Sequence, residues 1–271
     1  LHPATGVPKE VYASFAAWLT REHGAYVQTL DYRGIGGSRP ASLRGFVASM
    51  QDWGRLDMAA AVDHLIATYP DSPRMVIGHS IGGQLLGLLP RHDQLDAAVL
   101  IASSSGYWRK MTTWRMRAFC ALLWYVFLPP VVPLLGYGPT RALRQGEDLP
   151  RGVVQEWSRW CRHPRYLGGY LARGDANADR HAIDPHHYDD VRLPIRSIGF
   201  TDDPIANPRT VADLLALYPN ASIEDTFHAP ADVGLRSIGH VGFFSRRSRA
   251  TLWPLVGDWL ARTLQHPPPA G

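Results

Sequence analysis

The chain has 271 residues, a formal net charge of +4 and two cysteines. Its arginines are scattered and form no basic block interleaved with aromatic residues, which argues against nucleic-acid binding. Two cysteines are too few for a disulfide framework, and the first residues do not read as a signal peptide, so we expect a cytoplasmic protein.

The first part of the chain predicts a mostly parallel sheet with helices on both faces, because short aliphatic runs alternate with amphipathic helical patterns. Val11, Phe15, Trp18 and Leu19 share one face of a predicted helix at 9–22. The other predicted elements here are a strand at 26–30, a helix at 49–67, a strand at 74–77, a helix at 82–89 and a strand at 97–102. Residues 1–106 therefore form the first part of a predicted α/β core.

The pattern changes after Gly106. Residues 107–190 are rich in Trp, Arg, Pro and His and lack a clear strand pattern, so we predict a mostly helical insertion, the cap. Residues 118–140 carry no charge and are long enough to span a membrane. Prolines at positions 129, 130 and 133 interrupt this run, so we predict a hydrophobic cap element and no transmembrane span. A spanning helix and a lid that docks on a surface are the alternatives.

The alternation resumes at residues 191–264, which we assign to the second part of the core. The predicted elements are a strand at 194–200, a helix at 208–218, a strand at 221–227 and a final helix at 249–262. The tail, 265–271, is rich in proline and is predicted to be disordered.

A serine lies between glycines in Gly78-His79-Ser80-Ile81-Gly82, which matches the pattern G-x-S-x-G between a predicted strand and a predicted helix. A sharp turn there raises the serine hydroxyl above the sheet, and the small flanking residues let strand and helix approach each other. The helix N-terminus beneath it offers backbone N–H groups to an oxyanion. We therefore predict Ser80 as a nucleophile, against the alternative of a turn with an incidental serine.

An aspartate and a histidine follow this serine in the chain order Ser, Asp, His, each after a predicted strand. Asp203 is the predicted acid because it opens an Asp-Pro-Ile turn, and we interpret Asp202 as a solvated loop acid or a turn cap. His240 is the predicted base because its neighbouring glycines let the loop fold back over the sheet edge. His228 is the rival base, and His79 is assigned to packing or hydrogen bonding.

These residue types define a mechanism that needs neither a metal nor a cofactor. The histidine accepts the serine proton, the aspartate holds the imidazole, and the serine forms an acyl-enzyme that water hydrolyses. The predicted oxyanion donors are the N–H groups of Ile81 and Thr5, with Gly6 as the alternative to Thr5.

Six stretches carry a family resemblance: Pro3-Ala4-Thr5-Gly6-Val7, Asp31-Tyr32-Arg33-Gly34-Ile35-Gly36-Gly37-Ser38, Gly78-His79-Ser80-Ile81-Gly82-Gly83-Gln84-Leu85, Ser105-Gly106-Tyr107-Trp108, Trp160-Cys161-Arg162-His163-Pro164-Arg165-Tyr166 and Ile238-Gly239-His240-Val241-Gly242-Phe243-Phe244. With these, the chain resembles the α/β-hydrolase superfamily and, within it, a bacterial group of predicted serine hydrolases. The resemblance implies an open, mostly parallel eight-stranded sheet with a cap after the sixth strand. It also implies that N-terminal edge strands are missing, because members carry further strands before the oxyanion loop.

The tryptophans and the apolar run of the cap suit a small-molecule acyl substrate with an apolar group. Trp108, Arg162 and His163 are candidate substrate-binding residues, the last two for a carboxylate or a phosphate, and cap packing is the alternative for all three. The cysteine and histidines of the cap fit no common metal-site spacing, so we predict no metal. The sequence favours a hydrolase of esters or thioesters. An acyltransferase that uses the same acyl-enzyme and a non-catalytic binding protein with this fold remain open, as does the oligomeric state.

Overall fold

The computed structural model of the protein describes residues 1–172, 174 and 180–265, and the predicted disorder of the tail lies, from residue 266 onwards, outside this part. Its strands are β1 (Met75–His79), β2 (Ala97–Ile101), β3 (Tyr137–Gly138), β4 (Leu149–Pro150), β5 (Pro194–Phe200) and β6 (Ser222–His228). Strands β1, β2, β5 and β6 form one parallel sheet in that order, and β3 pairs with β4 antiparallel. The described residues thus hold a main sheet of four strands, where the family resemblance implied eight.

The helices of the core lie close to their predicted positions, and the cap, for which no helix bounds were predicted, contains three of the helices. The helices are α1 (Ala13–His23), α2 (Met50–Asp52), α3 (Ala59–Thr68), α4 (Ile81–Gln84), α5 (Trp114–Leu122), α6 (Leu128–Leu135), α7 (Arg151–Arg162), α8 (Pro208–Leu215) and α9 (Trp253–Gln265). Stretches of π-helix join α2 to α3 and α5 to α6. Ser49 caps α2, because its hydroxyl accepts a hydrogen bond from the Asp52 N–H. The Asp52 carboxylate in turn accepts a hydrogen bond from the Ser49 N–H.

The main sheet separates two apolar cores, and β2 shows how. This strand is buried along its whole length, with Ala98 and Leu100 in one core and Val99 and Ile101 in the other. A continuous apolar run of this kind is typical of a parallel strand covered on both faces. The core on the side of α1 and α9 also holds aromatic residues that support the candidate active site.

The strand predicted at residues 26–30 is not present in the structure. A groove of about 600 Å³ lies between this segment and β1, with Val27 and Gln28 on one side and Met75 and Ile77 on the other. An extended segment becomes a strand only when a neighbouring backbone pairs with it, and here the groove occupies the place of that neighbour. The prediction for the first helix was wrong in one residue, since Val11 is exposed and Tyr12 is buried in its place.

The prolines of the cap do not end its long helix. Pro129 and Pro130 stand at the start of α6, directly after the π-helical turn, and Pro133 lies inside α6. The first positions of a helix need no N–H donor, so proline is tolerated there. The run Trp114–Leu135 is nevertheless one helix of 22 residues, with Pro133 inside it, and among the described residues it alone meets the length and composition of a membrane span.

Candidate active site

Ser80 directly follows β1 and precedes the first turn of α4, with φ 52° and ψ −114°. For a residue other than glycine, such a backbone conformation costs about 1–3 kcal/mol of strain, and it persists only where the surrounding packing enforces it. A Cβ at Gly78 would lie 2.5 Å from the Gly83 nitrogen, and one at Gly82 would overlap the His2 carbonyl oxygen. The two glycines of the G-x-S-x-G pattern are therefore required by backbone packing, as the sequence predicted.

The structure brings the three predicted triad residues together at the carboxyl edge of the sheet. The Ser80 hydroxyl oxygen lies 2.9 Å from His240 Nε2, and His240 Nδ1 lies 2.7 Å from Asp203 Oδ2. Asp203 is buried just after β5, and its other carboxylate oxygen accepts from the N–H groups of Ile205 and Ala206. The Asp-Pro-Ile turn thus fixes the acid by its own backbone.

The Asp203 carboxylate is held in its charged form. Burial alone would raise its pKa, but the charge and hydrogen bond of His240, together with the two backbone N–H donors, hold the pKa of Asp203 below its ordinary value. An ionised carboxylate only accepts hydrogen bonds, so His240 carries its proton on Nδ1. Nε2 then faces the Ser80 hydroxyl as an acceptor, which is the arrangement of a general base.

Asp202 holds the loop that carries the histidine. Its two carboxylate oxygens accept from the backbone N–H groups of Ile238 and Gly239, at 2.8 and 2.9 Å. Gly239 has φ +60°, which only glycine adopts without strain. Rather than standing as a free loop acid, Asp202 fixes the residues that immediately precede His240. Sequence reasoning missed this role because Asp202 and Ile238 lie 36 positions apart.

A buried chain of hydrogen bonds supports the site from below. The Ala4 N–H donates to the Tyr12 hydroxyl, which lies 2.8 Å from His79 Nδ1, and His79 Nε2 lies 2.8 Å from the His240 carbonyl oxygen. Since that carbonyl only accepts, Nε2 of His79 donates and its Nδ1 accepts from Tyr12. We call this chain of Ala4, Tyr12, His79 and His240 the buried relay. It joins the N-terminal loop to the loop of the candidate base.

Burial keeps the members of the relay neutral. Desolvation, with the neighbouring His240 as a smaller cause, lowers the pKa of His79 to about 3. Desolvation likewise raises the pKa of Tyr12 above its ordinary value, so its hydroxyl stays protonated. The aromatic ring of Phe244 packs on both, 4.6 Å from the Tyr12 ring centroid and 4.9 Å from that of His79. His79 is thus a hydrogen-bonding residue, as the sequence indicated, and Tyr12 and Phe244 are supports that it did not reveal.

The predicted oxyanion donors lie on two neighbouring segments. His2 pairs with β1, where its N–H donates to Ile77 and its carbonyl accepts from His79, so the loop that follows runs past Ser80. The Ala4 N–H is engaged by Tyr12, which leaves Thr5 and Gly6 as the next N–H groups along that loop. The Ile81 N–H opens α4 directly after the serine.

Among the described residues, no hydrogen bond, ion pair or ring contact joins the rival base or the candidate substrate-binding residues to the triad. The buried Nε2 of His228 has no hydrogen-bond partner there. Trp108 and Arg162 both approach the ring of Tyr125, at 6.0 and 5.5 Å from its centroid, and His163 Nδ1 accepts from the Arg165 N–H. Within the described residues these three side chains make cap contacts, and no hydrogen bond, ion pair or ring contact joins them to Ser80 or His240.

One group of side chains among the described residues could hold a metal ion. The donor atoms of His92, His187 and Asp190 lie within 4.8 Å of one another, with the two imidazole rings stacked at 4.6 Å. This group shares only His187 with the cysteine and histidines of the cap that were weighed from the sequence. It lies where the chain returns from the cap, since the His187 N–H donates to the Gly87 carbonyl.

A parallel sheet with a serine raised on a strand–helix turn at its carboxyl edge defines the α/β hydrolases. The chain belongs to one family of that class, the hydrolases described as serine aminopeptidase, S33, whose model matches residues 9–157. The matched range includes Ser80 and ends before Asp203 and His240. A comparison with curated proteins found no match.

Solved structures show the same fold at low sequence identity. A monoacylglycerol lipase from Paleococcus ferrophilus is 16% identical with a TM-score of 0.56, over 97% of this chain and 92% of that chain. Mouse alpha/beta hydrolase domain-containing protein 10 is 13% identical with a TM-score of 0.55, over 96% and 88%. A thermophilic esterase from Thermogutta terrifontis is 14% identical with a TM-score of 0.53, over 96% and 87%.

Proposed function

We propose that the protein hydrolyses small carboxylic esters or thioesters through an acyl-enzyme on Ser80. The observation that carries this proposal is the continuous hydrogen-bonded line from Ser80 through His240 to Asp203, with distances of 2.9 and 2.7 Å. Each neighbouring pair is within hydrogen-bond reach, which is the requirement for activating a serine by a general base.

In the first step, His240 Nε2 takes the proton of Ser80 as the hydroxyl oxygen attacks the carbonyl carbon of the substrate. Asp203 stabilises the imidazolium that results, and the proton then passes to the leaving alcohol or thiol. Water, deprotonated by the same imidazole, attacks the acyl-enzyme and returns the serine to its starting state. We assign the developing oxyanion to the N–H groups of Ile81 and Thr5, with Gly6 as the alternative to Thr5.

The substrate is proposed to be an ester with an apolar group. The chain leaves the sheet for the cap beside the acid, where the Thr112 N–H donates to the Pro204 carbonyl. From residue 97 to residue 146 this part of the chain carries no aspartate or glutamate. An aminopeptidase has to bind a free α-ammonium, which calls for a negative partner, so an uncharged acyl group suits this part of the cap better. The neighbours described as a lipase and an esterase add support.

We also propose that the chain divides into a core in two parts, 1–106 and 191–264, and a cap at 107–190. A further proposal is that the protein is cytoplasmic. The location is supported by Cys120 and Cys161, which are free thiols. Burial raises the pKa of Cys120 to about 11 and raises the pKa of Cys161 well above its ordinary value, so both stay protonated and unreactive.

A fluorophosphonate probe and a substrate panel test the proposal. We expect the probe to label the wild type and not Ser80→Ala, and hydrolysis of p-nitrophenyl acyl esters to fall by about 10⁶-fold in that variant. His240→Ala should fall by a similar factor, while His228→Ala, the matched control, keeps wild-type activity. Activity confined to aminoacyl p-nitroanilides would refute the ester assignment, and a folded protein that the probe does not label would refute the nucleophile. Adding alcohol acceptors separates hydrolysis from acyl transfer.

A further inference from the structure

The long helix of the cap, Trp114–Leu135, is packed on the protein along only part of its surface. Leu123, Trp124, Leu128 and Val132 are buried and hold the helix to the core. Five large apolar side chains of the same helix are instead 50–76% exposed: Trp114, Leu122, Tyr125, Val126 and Leu134. We call these five residues the apolar helix surface. Several large, exposed apolar side chains on one helix of this kind indicate an interaction site.

Neighbouring groups enlarge the apolar helix surface. An apolar recess of about 320 Å³ opens beside it between Phe119, Val126, Pro130 and Leu143. At its other end, Val47 is 88% exposed and borders the same shallow pocket as Leu134. The surface therefore offers both protruding side chains and a place where an acyl chain could lie.

In the stretch of sequence that carries this surface, the charged side chains have one sign. Between Asp96 and Glu147 the sequence holds no acidic residue and six cations: Arg109, Lys110, Arg115, Arg117, Arg141 and Arg144. Lys110 pairs with Asp213 and Arg141 with Glu147. The five arginines are exposed: Arg109 precedes the helix, Arg115 and Arg117 lie in its first turn, and Arg141 and Arg144 follow it. The Arg115 guanidinium lies 5.7 Å from the Trp114 ring centroid, so an aromatic ring and a cation meet at one end of the surface. A partner that covers the apolar helix surface therefore has to take up its apolar side chains and to carry negative charge on both sides of them.

We propose that the apolar helix surface docks on an anionic lipid bilayer, with the helix lying in the membrane interface. Amphipathic rings and arginines at the edges of an apolar stripe are suited to the headgroup region, where the rings bury and the cations meet lipid phosphates. The four buried side chains on this helix keep it attached to the core, which argues for a helix that lies on the membrane and does not cross it. A second copy of the chain is a poorer occupant, because a two-fold interface would bring arginines against arginines.

Vesicle sedimentation with the full chain tests this proposal. We expect the wild type to bind vesicles of phosphatidylcholine mixed with phosphatidylglycerol, to bind pure phosphatidylcholine less, and to be released by salt. The double variant Arg115→Gln/Arg117→Gln should bind anionic vesicles about thirtyfold less at low ionic strength. The double variant Leu122→Ser/Val126→Ser should bind at least about tenfold less on either lipid.

The matched controls are Leu56→Ser, an exposed leucine outside the cap, and Arg21→Gln/Arg192→Gln, two exposed arginines elsewhere. Both should bind as the wild type does, and circular dichroism checks that every variant is folded. The proposal is overturned if the wild type ignores anionic vesicles or if Leu122→Ser/Val126→Ser binds them unchanged. It is also overturned by a stable dimer that this variant dissociates, or by binding that persists in high salt and alkaline carbonate, which would indicate a spanning helix. These readouts do not depend on hydrolytic activity.

Discussion

Replacing His79 by glutamine should remove a defined part of the acid sensitivity of the fold. In the unfolded chain this histidine titrates at its ordinary value of 6.5, whereas in the folded protein burial lowers its pKa to about 3. Between these values the unfolded chain binds a proton that the folded protein excludes, so stability is present above pH 6.5 and is lost as the pH falls. The loss is about 1.4 kcal/mol per pH unit, or about 2 kcal/mol between pH 7 and pH 5.

Glutamine suits the test because its amide carries one acceptor for the Tyr12 hydroxyl and one donor for the His240 carbonyl, and it does not titrate. Urea unfolding of both proteins at pH 7 and pH 5 gives the free energy of unfolding in each case. We expect the wild type to lose about 2 kcal/mol more than His79→Gln over this interval. Between pH 7 and pH 8 the two should change equally, which is the internal control. Equal losses from pH 7 to pH 5 would show that His79 is not a buried neutral base.

Three further substitutions probe the same region. Asp203→Asn should lower kcat by about 10⁴-fold because it fixes the wrong imidazole tautomer. Asp202→Ala only loosens the loop that carries His240 and should lower kcat by about tenfold. Steady-state kinetics that show the reverse order would exchange the roles of the two aspartates. Gly82→Ala should destabilise the fold by about 3 kcal/mol or more because its Cβ meets a backbone oxygen, while Gly37→Ala, whose nearest atom lies at 3.5 Å, should cost less than about 1 kcal/mol in urea unfolding. Tyr12→Phe leaves a buried N–H and a ring nitrogen unpaired and should cost about 3 kcal/mol, and an unchanged unfolding midpoint would contradict the buried relay.

The parts of the site that the sequence predicted are those encoded over a few consecutive residues. The glycines around Ser80 and the Asp-Pro turn at Asp203 each specify a local backbone conformation, so their patterns are legible in one sequence. Tyr12 and Asp202 escaped prediction because they act on residues 67 and 36 positions away, and their local sequence contains no sign of the partner. A tyrosine in an amphipathic helix pattern is an ordinary core residue until the fold places a histidine beside it.

The same distinction, between features encoded in consecutive residues and features that depend on distant partners, explains which elements of the fold were predicted. Strand β5 was predicted to the residue, since a short apolar run ending at a turn is sufficient to mark a strand with neighbours on both sides. Residues 26–30 have a similar pattern, but whether they form a strand depends on a paired backbone that their own sequence does not specify. The prolines of the cap misled for a third reason. The π-helical turn places Pro129 and Pro130 in the first turn of α6, where proline is tolerated, and Pro133 lies inside α6 without ending it.

The buried relay has a consequence for how the protein can evolve and be engineered. Because Ala4 and the His240 carbonyl are joined through only two side chains, a short chain of hydrogen bonds links the loop that carries the proposed oxyanion donor to the loop of the proposed base. Changes in the two loops should therefore fail to combine multiplicatively, since a displacement of either is transmitted to the other. Variation that changes substrate preference is then expected in the cap, where side chains can change without displacing the proposed triad and oxyanion donors.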